Sequence, residues 1–298
     1  MAAGSTSAHP TRVRLPTGLH AAVRTWGPPD GAAPLVLVHG FLDAGAAWEE
    51  VAAALAERLP GRRIVAPDLR GHGDTDRVGA GGYYHFFDYV ADLEALLAEL
   101  GLTSIDLVGH SMGGMVASYF AGTRPAAVRR LALLEGLGPP EPPLDGDALP
   151  QRTRAWLDAW ARARAEPERA LADLDAAAAR LRKHDPLLSL EQARLAARRL
   201  TRALPSGGLV WKHDPVHLTP APIPFRRAHA EPFWRAITAE VLIVDGAAST
   251  LRLDPADAAA RIACLARARR VELAGAGHMM MRHQPGALAT LLADFVAA

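Results

Sequence analysis

Cysteine is nearly missing from this chain. Cys264 stands alone, so no intramolecular disulfide can brace the fold. Its place in the apparent helix 257–266 reads as a small buried side chain rather than a reactive thiol. Long apolar runs are missing too: no stretch approaches the roughly 18 residues of a membrane span. Residues 1–10 lack the basic and apolar regions of a secretory leader. A cytoplasmic protein without a membrane partner is expected. No charge of one sign dominates, because 33 basic and 32 acidic residues are mixed along the chain. That balance offers no basic face for nucleic acid and no acidic tail. Nearly all the cations are arginine rather than lysine, and alanine is abundant, a compositional bias without functional content. What the chain does have is apolar material: half of its 298 residues are hydrophobic, ample for a core. Nothing in it sets an oligomeric state.

Two segments, 11–15 and 19–26, predict a hairpin closed around Pro16-Thr17-Gly18. Residues 34–38 then form a continuous apolar run ending at His39-Gly40, the pattern of a strand buried on both faces. A helix over 48–59 follows and stops at Pro60-Gly61. The alternation repeats: strand 63–66, helix 86–100, strand 104–108, helix 112–123, strand 130–134. It resumes with strands 241–244 and 269–273 and closes with helix 285–296. Strands alternating with helices imply a mostly parallel, twisted sheet covered on both faces.

The alternation breaks between residues 138 and 234. The break opens on a proline cluster, 139–143, unsuited to helix or inner strand. Helices are expected over 151–165, 167–183 and 189–202, then a Pro- and His-rich stretch over 211–227. An excursion of about a hundred residues between two sheet strands is expected to lie over one sheet end as a helical cap. The division is therefore 1–137 with 235–298 as core, and 138–234 as cap.

Gly109-His110-Ser111-Met112-Gly113 fits the G-x-S-x-G pattern, and it lies between a strand and a helix. A serine on so tight a turn adopts strained backbone angles, so the positions two residues away must be nearly side-chain-free. Its hydroxyl then stands clear of the sheet, and the helix N-terminus favours developing negative charge. Serine at its ordinary pKa is a weak nucleophile and needs an adjacent base. Of the twelve histidines, His278 is the candidate: it follows the last strand in Gly275-Ala276-Gly277-His278, where glycines let the loop carry an imidazole over the sheet edge. His283, at the opening of a helix, is read as structural. His39-Gly40-Phe41 ends the first parallel strand, and the N–H groups of Phe41 and Met112 are the candidate donors to an oxyanion.

With His39-Gly40-Phe41, Asp68-Leu69-Arg70-Gly71-His72-Gly73, the turn at Ser111 and the Gly-His pair at His278, the chain resembles the α/β-hydrolase superfamily over nearly its whole length. The segments Leu134-Glu135-Gly136-Leu137-Gly138-Pro139 and Trp211-Lys212-His213-Asp214-Pro215 are similar to the serine-hydrolase-like and mesoderm-specific-transcript branch. The resemblance implies the α/β-hydrolase fold, with the helical cap inserted after the sixth strand. It also implies an acid a few residues past the seventh strand in a G-x-x-D context. Here Gly246-Ala247-Ala248-Ser249 puts a serine at that place. Three carboxylates remain open. Glu135 ends the strand after the helix that follows Ser111, where some haloalkane dehalogenases of the same fold carry a glutamate, and burial there is costly without a partner. Asp245 ends its strand, and Asp254 opens a helix beside Pro255, where capping explains it. Glu135 is the favoured acid. Asp68 and His72 are expected to organise backbone near the site, and Asp43 and Trp48 stay undecided. Trp211 and His213 are candidate substrate contacts.

The implied activity is hydrolysis of a carboxylic ester of a small or medium apolar substrate through an acyl-enzyme, with no metal or organic cofactor. Carbon–carbon, amide or lactone hydrolysis and acyl transfer use the same machinery. A ligand-binding protein with an idle serine is the reading from another class. Epoxide hydrolase and dehalogenase chemistry require a carboxylate nucleophile, which Ser111 is not.

Overall fold

The computed structural model describes residues 8–30, 33–142 and 148–297. Residues 1–7, part of the stretch without a leader pattern, and Pro143 of the proline cluster lie outside them. Strands β1 (His9–Arg14) and β2 (His20–Trp26) form the expected antiparallel hairpin. The first parallel strand, β3 (Leu35–Val38), leads through a 3-10 turn into α1 (Glu49–Arg58), and β4 (Ile64–Pro67) follows. Next come α2 (Phe86–Glu99), β5 (Ile105–His110), α3 (Met112–Thr123) and β6 (Val128–Leu134). The excursion contains α4 (Ala148–Ala165), α5 (Leu174–His184), α6 (Leu190–Leu200), β7 (Thr201–Ala203), β8 (Leu209–Trp211) and α7 (Arg227–Ala236). The chain closes with β9 (Glu240–Gly246), α8 (Pro255–Ile262), β10 (Ala268–Leu273), the short α9 (Met280–His283) and α10 (Pro285–Ala297).

The main sheet runs β1-β2-β4-β3-β5-β6-β9-β10, and every pair from β4 to β10 is parallel. Alternation within the apolar strands feeds two cores. Val36, Val38, Leu107, Leu131, Leu133 and Ile243 pack beneath α2, α3 and α7. Leu35, Leu37, Val108, Leu134, Leu242 and Val244 pack on the other face against α1 and α10. Burial on both faces explains why these strands read as unbroken apolar runs.

The excursion departs from the sequence reading in three places. No helix begins at Pro167: Leu171 bridges to Leu209, and α5 starts only at Leu174, where Asp173 caps it by accepting the Ala176 N–H. The expected helix 189–202 stops at Leu200, because residues 201–203 pair with β8 in a small hairpin turned by Gly207 and Gly208, both at positive φ. Helix α7 was not expected. It carries Pro232 internally yet forms, because buried Ala230 and Trp234 hold it against α3. Near Cys264 the helix is also shorter than expected, ending at Ile262; the thiol is buried and lies 3.5 Å from the Ala260 carbonyl. The excursion has its own small core, in which Ala177, Ala178, Ala193 and Ala197 let α5 and α6 approach closely. Among the described residues, no helix is long and apolar enough to cross a membrane.

Candidate functional site

Four of the candidates lie just beyond the C-terminal end of a parallel strand: Phe41 after β3, Ser111 after β5, Glu135 after β6 and His278 after β10, whereas Trp211 ends β8 and His213 follows it in the excursion. Parallel strands put these ends on one edge of the sheet, where open α/β sheets form their crevices. Ser111 sits at φ 52° and ψ −120°, a conformation costing on the order of 1–3 kcal/mol for a non-glycine residue. The glycines around it are required sterically. A Cβ at Gly109 would meet the Gly113 carbonyl oxygen at 2.3 Å, and one at Gly113 would meet the His39 oxygen at 2.3 Å. Ser111 is half-buried, and its hydroxyl forms no hydrogen bond among the described residues.

β10 is three strands away from β5, about 14 Å at the usual strand spacing, so His278 must be carried back. The 275–277 loop does this by crossing directly over Gly246, where a Cβ would meet the Gly277 and Ala276 oxygens at 2.5 and 2.6 Å. His283 accepts the Gly277 N–H at 3.0 Å and bonds Asp185 of the excursion through its other ring nitrogen, a structural role as expected. His110, inside the serine turn, bonds the His278 carbonyl at 2.8 Å, and the two rings lie 4.6 Å apart. The imidazole of His278 is thus held beside the Ser111 turn. Burial, with His278 nearby, keeps the His110 ring neutral, its pKa well below that of ordinary histidine.

Of the three carboxylates, only Glu135 reaches His278. Its Oε2 is 2.6 Å from His278 Nδ1 and also accepts the Ser249 hydroxyl at 2.8 Å, while Oε1 accepts the Gly246 N–H at 2.9 Å. Burial alone would raise this carboxyl, but the three hydrogen bonds outweigh it and hold it below the usual range. Asp245 points along the sheet to Arg270 on β10, and Asp254 caps α8 by accepting the Ala256 and Asp257 N–H groups. Ser249, which stands where the resemblance implies an acid, therefore donates to Glu135 instead.

At the β3 turn, His39 Nδ1 bonds the Gly40 carbonyl at 2.7 Å while Nε2 accepts the Leu69 N–H at 2.9 Å. A trans peptide points its N–H opposite its carbonyl, so fixing the Gly40 oxygen turns the Phe41 N–H away from His39, and this amide has no acceptor among the described residues. Met112 is the first residue of α3, where an N–H has no intrahelical partner. A Cβ at Gly40 would meet His110 Nδ1 at 2.7 Å and Ser111 Cβ at 3.2 Å. The two turns touch, and only glycine allows it.

A family model for the alpha/beta hydrolase fold matches residues 33–281. The chain belongs to the α/β-hydrolase family. A 3-hydroxybutyrate-oligomer hydrolase from Cupriavidus necator is 34% identical over 251 residues, 80% of each chain. A hypothetical protein of Pseudomonas aeruginosa superposes with a TM-score of 0.85 at 32% identity, covering 97% of this chain and 99% of that one. The thioesterase domain from the curacin biosynthetic pathway gives a TM-score of 0.80 at 30% identity, covering 96% and 99%.

In this hydrolase the excursion lies against the loops that carry the site. Asp214 donates its N–H to the Gly71 carbonyl and accepts the Tyr84 hydroxyl at 2.8 Å. The His217 ring lies 4.1 Å from that of His72 and 3.8 Å from that of Tyr84, tilted by 31° and 35°. The exposed Phe41 ring lies edge-on to His217 at 6.1 Å. Trp211 and His213 stack in parallel, 6.1 Å apart, and both line a cavity of about 400 Å³ whose walls also include Leu42, the residue after Phe41. Burial lowers the His213 pKa to about 4, so the ring is neutral there. Asp68 accepts the Gly45 and Asp74 N–H groups, and His72 bonds the Arg70 carbonyl, both holding backbone as expected. Asp43 is buried and paired with Arg282, and Trp48 is buried in the core. Sequence reasoning missed His110 and Ser249 as supports, because neither is chemically marked until the folded chain brings its partner close.

Proposed function

We propose that the protein is a serine hydrolase acting on carboxylic esters through an acyl-enzyme. The observation that carries the reading is the Glu135–His278 contact at 2.6 Å, held beside a serine on a strained strand-to-helix turn. Glu135 fixes the proton of His278 on Nδ1, which leaves Nε2 free to take a proton. His278 removes the Ser111 proton as Oγ attacks the ester carbonyl. The Phe41 and Met112 N–H groups donate to the oxyanion, and loss of one such donor typically costs about 3–4 kcal/mol of transition-state stabilisation. The imidazolium returns its proton to the leaving alcohol, and water, activated by the same His278, releases the acid.

Residues 138–234 act as the cap in this reading, with Trp211 and His213 as pocket walls. The mechanism uses no cofactor, and the even charge suits a cytoplasmic enzyme of small molecules with no nucleic-acid or membrane partner. The Cupriavidus relative, by its name a hydrolase of an oligoester, supports ester chemistry. The curacin neighbour favours a second substrate class, thioesters, on the same groups. Turnover of 4-nitrophenyl butyrate and of a butyryl thioester by wild type and Ser111→Ala tests the proposal. Ester hydrolysis lost in the variant supports it. Hydrolysis that survives in the variant overturns it, and preference for the thioester redirects the substrate class.

A further inference from the structure

Among the described residues, Glu168 is the only acid lining the cavity that Leu42 also lines, and it is already committed. It pairs with Arg77 at 2.7 Å and with Arg202 at 2.8 Å, and these partners outweigh burial in holding its carboxyl below the ordinary range. His213 is neutral, as shown above. Two further lining residues, Arg169 and Arg180, form no ion pair and no hydrogen bond among the described residues. Nearby arginines on the same cap behave differently: Arg199 binds Glu49 and Glu50, and Arg194 binds Asp175. The cavity lining thus combines apolar Leu42, Leu181, Val210 and Leu218 with the two uncompensated guanidinium groups of Arg169 and Arg180.

We propose that this cavity receives the distal end of the substrate chain and that Arg169 and Arg180 recognise a carboxylate there. The proposal rests on the ester-hydrolase reading and narrows its substrates to flexible esters whose far end is anionic; hydroxyalkanoate oligomers are one such class. A guanidinium matches a carboxylate in planar, two-pronged geometry. Both arginines are exposed, so neither loses much hydration before the anion arrives. The apolar walls accept the methylene chain between the reacting carbonyl and that anion. A volume of about 400 Å³ lies within the usual range for small-molecule sites. A wholly apolar chain would leave both cations unanswered.

Two matched substrate pairs test this. One is 3-(butanoyloxy)butanoate with its methyl ester, which places the charge on the alcohol side. The other is the 4-nitrophenyl monoester of adipic acid with its methyl-capped form, which places it on the acyl side. The expected result is a preference of about tenfold or more in kcat/KM for the anionic member of one pair, and that pair identifies which side enters the cavity. In the Arg169→Ala/Arg180→Ala double variant the ratio falls to near one, whereas Arg198→Ala, an exposed arginine elsewhere on α6, preserves it. Equal rates for both members of both pairs in wild type, preference for the capped esters, or a ratio that survives the double variant overturns the proposal. Failure of the underlying reading looks different: no ester of any charge is cleaved and Ser111 stays unlabelled by a fluorophosphonate, which removes both proposals together.

Discussion

His278 and His217 are the same side chain in opposite surroundings, and the contrast shows what a charge partner and what burial each do to a histidine. His278 is partly open, with 22% of its side chain exposed, and one ring nitrogen faces a buried carboxylate. His217 is buried in the excursion, packed at a tilt against the His72 and Tyr84 rings, and burial pushes its pKa down to about 3. His72 beside it is lowered well below the ordinary value by burial and by His217 and His39. A histidine that must gain a proton needs a counter-charge. One that packs as a flat apolar wall works best without it.

The largest effect comes from making His278 resemble the others by removing its charge partner. Glu135→Gln is expected to lower kcat about 10⁴-fold with little change in KM, since the wrong tautomer and an unsupported imidazolium both follow. Steady-state kinetics checks it. The next test concerns the buried rings. Their folded pKa values lie below the unfolded value, so their neutral forms stabilise the protein fully above pH 6.5. That stability is lost as pH falls toward about 3 for His217. Between pH 6.5 and 5, each histidine that stays neutral only when folded weakens stability by about 1.4 kcal/mol per pH unit. Denaturant melts across that range should show His217→Phe flattening the slope by about one proton. An unchanged slope breaks the comparison.

A smaller change isolates the hydrogen bonds around the acid. Ser249→Ala removes one donor to the Glu135 carboxylate, worth about 1.5 kcal/mol for a bond to a charged group, and should lower kcat roughly tenfold. Asp245→Asn is expected to change kcat least, within about twofold, as befits a partner of Arg270 that does not touch His278. A large loss there would move the acid away from Glu135.

Legibility in the sequence followed the length scale of the cause. The strands of the sheet, the turn at Ser111 and the loop before His278 announce themselves locally, because burial on both faces and close backbone approach restrict the residues allowed. Glu135 needed a comparison of strand ends, since its partner is 143 residues away. The excursion was the least legible. Its alanine- and arginine-rich helices promise helicity without fixing boundaries, and the β7–β8 hairpin and α7 form through contacts with Leu171 and α3. Such contacts leave no periodic trace. Ser249 shows the limit most clearly, because its meaning depends on a glutamate from another strand.

The central claim is that the Ser111 oxygen is activated by His278. Intact-mass analysis after treatment with a fluorophosphonate, followed by peptide mapping, tests it most directly. The account predicts one adduct per chain, on Ser111, formed far more slowly in His278→Ala. No adduct, an adduct on another residue, or labelling indifferent to His278 would contradict it.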